Sequence, residues 1–285
     1  MKLMRKLGIV TILIMIALVV ALSAKGVHEH VLLTAQIDEA SGLARSLINP
    51  EILYTHNDSG GENAIYAIDT KGQLRARIVI EGVQNRDWEE IATARDPISG
   101  KAHIYIGEIG DNAARYSSVS VYRFPELSLV SGDSLYTIKT YDTITIQYED
   151  GPRDAEAMFV QPQTGDLYII SKREDKVGIY RIPYPQQTLK INTATKVGTM
   201  NMQWVTAADI SPNGRSILVK NYASVKRFKV GRKQSIAEAL ARRPKNMPYK
   251  IEPQGEAICF DHKGKGYYTL SEAGEDGIQI LYYYK

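Results

Sequence analysis

The chain has 285 residues, of which 44% are hydrophobic and 24% charged, the composition of an ordinary globular protein that can bury a core without disulfide staples. Its 18 Tyr against 4 Phe favour strands with half-exposed aromatic positions. The formal charge of +3 falls to zero if Lys2, Arg5 and Lys6 leave with a cleaved leader, so charge gives no support for a nucleic-acid partner.

The N-terminus has the order of an export signal. Lys2, Arg5 and Lys6 precede an uncharged apolar run over residues 7–24, and small residues occur at Ala21-Leu22-Ser23. We predict that residues 1–24 are a signal peptide, and cleavage is the favoured outcome. The run is also long enough to span a bilayer as an uncleaved anchor. The sequence therefore predicts a periplasmic or secreted protein, which contacts a membrane only if residues 1–24 are retained.

Five segments of the remaining chain align into a repeat. One column of this repeat holds Ser41, Glu89, Glu156, Ala208 and Glu256, at separations of 48, 67, 52 and 48 residues. Such a period is typical of a four-stranded propeller blade. We predict that residues 25–285 form one all-β domain, a five-bladed β-propeller. The 67-residue gap leaves six blades as the alternative.

Each aligned segment precedes two further strand patterns separated by turn residues. The predicted second strands are residues 51–55, 102–106, 166–170, 215–219 and 266–270. The predicted third strands are residues 64–68, 118–122, 177–181, 224–228 and 278–282.

Three further elements complete the predicted ring. Residues 116–148 are expected to add a long outer hairpin to the second blade. Residues 235–241 should form a short helix in the fourth blade, because Ser235 and Glu238 have capping-box spacing. A strand over residues 30–37 is expected to close the ring against the C-terminal unit, which removes the last free sheet edge.

The first strand of each predicted blade lines the central channel, so the repeat gathers carboxylates near the axis. Like charges in a confined site raise one another's pKa unless a cation compensates them. Oxygen ligands without a His or Cys cluster favour calcium, and less strongly magnesium, over zinc. The predicted metal ligands are Asp87, Glu89, Glu90, Asp154, Glu156, Asp209 and Glu256.

An alternative needs no metal. Arg86 and Arg153 directly precede Asp87 and Asp154 in a repeated Arg-Asp-x-Glu pattern. Buried Arg–carboxylate pairs satisfy both partners and order the strand starts without a ligand. The sequence leaves both arrangements open, and they can coexist if only some of the acids are paired.

A second set of polar residues follows the second strand of each repeat, where the loops of a propeller converge on one mouth. The cations in this set, beside the acids, suit a small ligand that carries phosphate or carboxylate. The predicted ligand-binding residues are His56, Asn57, Asp58, Arg86, Glu108, Asp111, Arg153, Lys172, Arg173, Lys220, Asn221 and Glu272.

No nucleophile elbow, phosphate-cradling loop or metalloprotease motif occurs in the sequence. The leading interpretation is a monomeric binding or scaffold propeller for a small anionic ligand or an envelope protein. The alternative is a metal-dependent hydrolase of phosphate esters, in which Glu89 or Glu156 activates water. A third is a protein-interaction platform built on the long hairpin and the inserted helix.

The strand-start motifs resemble a known family. Ser41-Gly42-Leu43, Trp88-Glu89-Glu90-Ile91 and Gly255-Glu256-Ala257-Ile258, with Leu270-Ser271-Glu272, resemble the SdiA-regulated family of exported bacterial propellers. The pattern is also similar to phytase-like ("esterase-like") propeller domains and, more distantly, to calcium-dependent five-bladed apyrases. The resemblance implies a propeller, export and calcium near the axis, while phosphatase activity follows only by fold-level analogy. Ala208 departs from the pattern, so a symmetric metal ring is not expected.

Overall fold

The computed structural model describes residues 26–32, 34–130 and 134–285. Within these ranges the chain forms 21 strands and one helix, so the predicted all-β class is confirmed. No helix in these ranges is long and apolar enough to cross a membrane. The predicted signal or anchor segment, residues 1–24, lies outside the described residues.

Five inner strands pack side by side in a closed cycle around an axis, each contacting the next in chain order and the last contacting the first. Alanines such as Ala92, Ala157 and Ala257 are buried on them, and small side chains allow converging strands to approach closely. Each contains one residue of the predicted repeat column, Ser41, Glu89, Glu156, Ala208 or Glu256. The five inner strands are β2 (Ala40–Arg45), β6 (Trp88–Arg95), β11 (Ala155–Val160), β15 (Val205–Ile210) and β19 (Gly255–Phe260).

Two antiparallel strands follow each inner strand outward, as the repeat predicts. The second strands are β3 (Ile52–Asn57), β7 (Ala102–Glu108), β12 (Leu167–Ser171), β16 (Ser216–Asn221) and β20 (Tyr267–Ser271). The third strands are β4 (Ala64–Asp69), β8 (Val119–Pro125), β13 (Val177–Ile182), β17 (Ser224–Lys229) and β21 (Ile280–Tyr284).

The outer strands join these units into four hydrogen-bonded sheets, whereas the repeat predicts five separate ones. The sheets have the orders β2-β3-β4-β5-β9, β6-β7-β8-β10-β14-β13-β12-β11, β15-β16-β17-β18 and β19-β20-β21-β1. Two units merge because β10 pairs in parallel with β14. The outer strands are β1 (Val27–Val31), β5 (Leu74–Ile80), β9 (Ser134–Ile138), β10 (Asp142–Tyr148), β14 (Asn192–Met200) and β18 (Lys245–Met247). The architecture is propeller-like.

The N-terminal strand pairs with the C-terminal unit, but at another position than predicted. β1 lies antiparallel to β21, with Val27 opposite Tyr284 and Val31 opposite Ile280. The predicted strand over residues 30–37 therefore overlaps β1 by only two residues. Beyond Val31 the chain turns inward, and Ile37 is buried in the core between the first and last sheets.

The predicted outer hairpin over residues 116–148 does not form as one unit. β8 pairs with β10 inside its own sheet, while β9 pairs in parallel with β5 of the preceding sheet. β9 covers the outer edge of β5, which would otherwise expose unpaired backbone groups.

The predicted helix is present as α1 (Ile236–Leu240), between β17 and β18. Ser235 caps it, and Ser235 and Glu238 form the reciprocal hydrogen bonds of a capping box. Ile236, Ala239 and Leu240 are buried against β14 and β17. Apolar side chains likewise fill the gaps between neighbouring sheets, as with Ile78 beside Phe124. Each large buried side chain contributes roughly 1.5–3 kcal/mol, which fixes the inner strands in place.

Candidate functional site

A β-bulge or register irregularity lies near the start of each inner strand. The register shifts fall at Glu89, Glu156 and Glu256 in three strands. Bulges re-aim the extra residue and increase the local twist. All three glutamates are almost fully buried. Predicted ligands on three strands are thus brought to one end of the channel.

The bulges also correct the alignment of the fourth repeat. The shift in β15 falls at Thr206, so Thr206 and not Ala208 occupies the position of the three glutamates. The Thr206 hydroxyl donates to the carbonyl of Gly255 at 3.2 Å, and in the first unit the Ser41 hydroxyl donates to the carbonyl of Glu89 at 3.3 Å. These two units therefore tie the inner strands together and contribute no carboxylate from this position.

Four further carboxylates surround the three glutamates. Their oxygens form three groups, each within 4.8 Å: Asp58 with Asp87 and Glu89, Asp58 with Glu256 and Glu272, and Glu89 with Asp154 and Glu156. Asp58 and Glu89 each belong to two groups, so the groups are continuous. We call these seven residues the acidic mouth. Gly110 makes room for it, because an added Cβ there would overlap the carboxylates of Asp87 and Glu89.

Protein cations neutralise only one side of the acidic mouth. Lys172 pairs with Glu156, and Arg173 Nε lies 2.5 Å from Asp154 Oδ2. Tyr222 donates its hydroxyl proton to Glu256 Oε1 at 2.7 Å and accepts a proton from Lys172 at 3.1 Å. These pairs place the predicted cations Lys172 and Arg173 beside the acids.

The other side of the acidic mouth has no cationic partner within the described ranges. This side holds Asp58, Asp87, Glu89 and Glu272, and the amide of Gln254 donates to Glu272 at 2.7 Å. Asp58 Oδ1, Glu156 Oε2 and Glu256 Oε2 are buried and have no hydrogen-bond donor. A buried carboxylate oxygen without a partner raises the free energy of the folded protein, and a positive group at the mouth would offset this cost.

The electrostatics of the acidic mouth reflect this deficit. Burial, assisted by Asp58, raises the pKa of Asp87 to about 6. Burial raises the pKa of Glu156 to about 8 against the opposing charge of Lys172. Burial and then Glu256 raise the pKa of Glu272 to about 8. The pKa of Glu89 is also raised well above its ordinary value by burial and by Glu156. The acids cannot all be ionised unless a cation compensates their charge. Without a cation, some of them keep a proton.

Two predicted ligands, Glu90 and Asp209, lie deeper than the acidic mouth. Glu90 Oε2 reaches across the channel and accepts the backbone N–H of Ala208 at 3.1 Å. Asp209 pairs with Arg45 at 2.8 Å and accepts the N–H of Phe260 at 2.8 Å. The bulges explain both positions, since Glu90 follows the bulged residue and Asp209 stands three residues beyond Thr206.

The predicted pairs of Arg86 with Asp87 and of Arg153 with Asp154 do not form. Arg86 Nε lies 3.6 Å from Glu108 Oε1, and its guanidinium is 4.0 Å from the ring centre of Tyr116. Arg153 pairs instead with Asp150 and Glu174, and stacks 4.6 Å from the ring centre of Tyr180. Both arginines lie before the inner strands begin, at Trp88 and Ala155, and their side chains turn to acids of neighbouring loops.

Several predicted ligand-binding residues form hydrogen bonds within the rim. Asn57 accepts the backbone N–H of Asp38 at 3.2 Å, and Asp111 accepts the N–H of Arg115 at 2.9 Å. Asn221 donates to the carbonyl of Gln203 at 3.1 Å. Glu108 accepts the hydroxyl proton of Tyr122.

His56 and Lys220 are buried inside the protein. The His56 ring meets Trp88 edge-on, and burial lowers the pKa of His56 to about 4, so the ring is neutral. Lys220 lies 3.6 Å from Glu252, with both side chains fully buried, and donates to the carbonyl of Gly255. Neither is available to an external anion.

Three further residues lie at the rim beside the predicted ones. Tyr222 and Asn112 belong to the polar set that follows the second strands, although they were not among the predicted ligand-binding residues, and Trp204 was missed. Asn112 accepts a proton from Arg173, and Trp204 lies 5.4 Å from the Arg173 guanidinium. Trp204 has a left-handed φ of 55° and a half-exposed ring, features that no local pattern announces.

No family model matches the chain, and no curated protein matches it. A solved auxiliary nutrient binding protein from Bacteroides thetaiotaomicron is similar at 11% identity with a TM-score of 0.49, covering 87% of this chain and 70% of that one. A nidogen/laminin complex is similar at 12% identity with a TM-score of 0.44, covering 82% of this chain and 73% of that one. Both likenesses are weak, and the description of the fold rests on the strand pairing of this chain.

Proposed function

We propose that this chain is a binding propeller whose acidic mouth holds a divalent cation, calcium in preference to magnesium. The observation that supports it is Asp58, a carboxylate shared by two groups of acids that have no cationic partner in the described part of the chain. A cation beside Asp58 would be in reach of Asp87 and Glu89 on one side and of Glu256 and Glu272 on the other.

The donor chemistry favours calcium. The acidic mouth offers carboxylate oxygens from four units of the ring and no cysteine or accessible imidazole, which argues against zinc. Calcium accepts six to eight oxygens in flexible geometry, whereas magnesium demands a small octahedral shell. The side of Asp154 and Glu156, already neutralised by Arg173 and Lys172, is less suited to the ion.

We further infer five blades. Five inner strands form the closed cycle, and five clusters of buried apolar residues fill the gaps between neighbouring units. The number of sheets is smaller because the parallel β10–β14 pair joins two blades at their outer strands.

We also propose that the protein is a monomer of the periplasm or cell exterior, and that it binds a small anionic ligand or an envelope protein. The cation would hold ligand oxygens at the mouth.

The test is thermal unfolding after EDTA treatment, with and without added calcium or magnesium. Calcium at about 100 times its dissociation constant contributes roughly 2.7 kcal/mol, which raises the Tm by about 5–10 °C for a domain of this size. Asp58→Asn should abolish this shift. Glu62→Gln changes an exposed carboxylate that pairs with Arg77 and lies in the same β3–β4 loop as Asp58, and it should retain the shift. No calcium shift in the wild type, or a full shift in Asp58→Asn, would contradict the proposal.

A hydrolase is the second candidate, and one observation favours it. Glu89 and Glu156 are buried carboxyls of raised pKa beside the proposed cation, a setting common for general acids and bases. Phosphomonoesters, phytate and nucleotides should then turn over only with calcium, and Glu89→Gln should lose turnover but keep its fold. Absence of calcium-stimulated turnover across that panel leaves the binding role.

A further inference from the structure

A cavity of about 420 Å³ lies at the end of the β16–β17 hairpin that is far from the acidic mouth. The hairpin turn carries Tyr222, which contacts the mouth, whereas the cavity is lined at the other end of the two strands. We call its four cationic lining residues, Arg215, Arg227, Lys229 and Arg242, the basic pocket.

The fold brings these cations together by simple geometry. Arg227 and Lys229 alternate onto the same face of β17, and Lys229 is opposite Ser216, the first residue of β16 after Arg215. Arg242 follows α1, which packs back against β17. One strand pair and one short helix thus place four positive charges around one opening.

None of the four cations forms an ion pair anywhere in residues 26–32, 34–130 or 134–285. Residues 226–245 contain eight Lys and Arg against one acid, Glu238. Glu238 is engaged in the capping box with Ser235. By contrast, thirteen Lys and Arg elsewhere are paired with carboxylates, among them Arg45 and Lys172.

The basic pocket also contains donors that are held in position. Arg227 Nε donates to Ser216 Oγ at 3.1 Å, and the guanidinium lies 5.7 Å from the ring centre of Phe260. The side-chain oxygen of Gln234 accepts the N–H of Gly231 at 3.0 Å. This contact orients the Gln234 amide, which lines the cavity and whose Nε2 is buried without an acceptor. The cationic side chains of the pocket therefore lack an anionic partner, and the Gln234 amide lacks a hydrogen-bond acceptor.

This arrangement suits an oxyanion. A cleft lined by one sign of charge concentrates ions of the opposite sign, and no acid lines this one. Arginine forks match the oxygens of phosphate, and an oriented amide N–H adds a directed hydrogen bond. We propose that the basic pocket binds a phosphate group, either free or carried by a small ester or a lipid headgroup. This proposal does not depend on a cation at the acidic mouth.

The test is isothermal titration of the full chain with sodium phosphate at low ionic strength, beside co-sedimentation with phosphatidylglycerol and phosphatidylcholine vesicles. Arg227→Gln should weaken phosphate binding roughly tenfold or more, because it removes charged hydrogen bonds to the anion. Since Arg227 packs on Phe260, Arg215→Gln and Arg242→Gln repeat the test at exposed positions. Lys226→Gln is the matched control, with the same charge change on the other face of β17.

Each outcome decides the proposal. Phosphate binding that weakens in the three pocket variants and persists in Lys226→Gln supports it. Binding to phosphatidylglycerol vesicles alone, lost in the same variants, supports it with a lipid headgroup as the source. Equal weakening in Lys226→Gln would show an unspecific response to net charge and overturn it, as would absence of binding to both probes.

Discussion

The acidic mouth and the basic pocket lie at opposite ends of one hairpin and carry opposite charge, yet they differ in how the charge is held. The mouth is formed by buried and half-buried carboxylates from four units of the ring, and burial raises the pKa of several of them, Glu156 among them. The pocket takes exposed or half-exposed cations from one sheet and its inserted helix. Buried charge alters the energy of the fold itself, whereas exposed charge mainly attracts ions from solution.

Removing one cation from each region should give the largest contrast. At a pH of about 9, above the pKa of Glu156, Lys172→Met leaves an ionised Glu156 buried without its partner, and we expect a loss of about 3–5 kcal/mol in the free energy of unfolding. Arg215→Met should change stability by less than about 0.5 kcal/mol, because the Arg215 side chain is exposed and unpaired. Urea unfolding of both variants in EDTA measures the difference. Equal losses would refute the contrast between buried and exposed charge.

The pH dependence of stability should come from the mouth. Burial raises the folded-state pKa of Glu156 from 4.5 to about 8, so the folded protein holds a proton that the unfolded chain has released. Stability without metal should then fall as pH rises from 6.5 to 8.5, by on the order of 2–3 kcal/mol. This range lies above the titration of His56, whose lowered pKa acts below pH 6.5.

Unfolding in EDTA at several pH values measures this fall. Glu156→Gln is the control that should partly flatten it, because Glu272, whose pKa is also raised to about 8, still contributes. Calcium should also flatten it, because a bound cation favours the ionised carboxylates. A stability that rises over the same range would show that the acids are already compensated by other groups.

Added salt should give the smallest effect and separate the regions again. At 1 M salt the Debye length is about 3 Å, so attraction of phosphate to the exposed basic pocket should weaken several-fold. The calcium-induced shift in Tm should change less, since Glu89 and Glu256 are buried and the other proposed ligands are half-buried. Titrations with phosphate and with calcium at 0.05 and 1 M sodium chloride test this ordering. A larger effect of salt on the calcium-induced shift in Tm than on phosphate binding would contradict this ordering.

Local pattern was sufficient to predict the first three strands of each unit and the convergence of Glu89, Glu156 and Glu256, because hydrophobic alternation and repeat spacing are recorded along the chain. It was insufficient where partners are distant. The attachment of β9 to β5 and the pairing of Lys220 with Glu252 depend on which segments meet after folding. Alignment of the repeats by residue type placed Ala208, and not Thr206, in the column of the three glutamates, because a bulge adds a residue without leaving a sequence signature.

The same reasoning explains why Asp58 was predicted as a ligand contact and not as a metal ligand. Asp58 follows a second strand, and its proximity to acids of two other units arises from closure of the ring. Arg45 was missed for a similar reason, since its partner Asp209 belongs to a strand on the far side of the channel. Repeat analysis predicts equivalent positions within units, but not contacts across the axis.

The pairing of β1 with β21 has a consequence for biosynthesis. The last sheet acquires its outer strand only when Val27–Val31 meets Ile280–Tyr284, so nearly the whole chain must be translated before the ring can close. Contacts of such sequence separation slow folding. The two paired strands also hold Gly26 beside Lys285, where Lys285 donates its N–H to the Gly26 carbonyl at 2.9 Å. A short linker could join them, and a circular permutant opened at the turn of residues 97–100 would keep every blade intact.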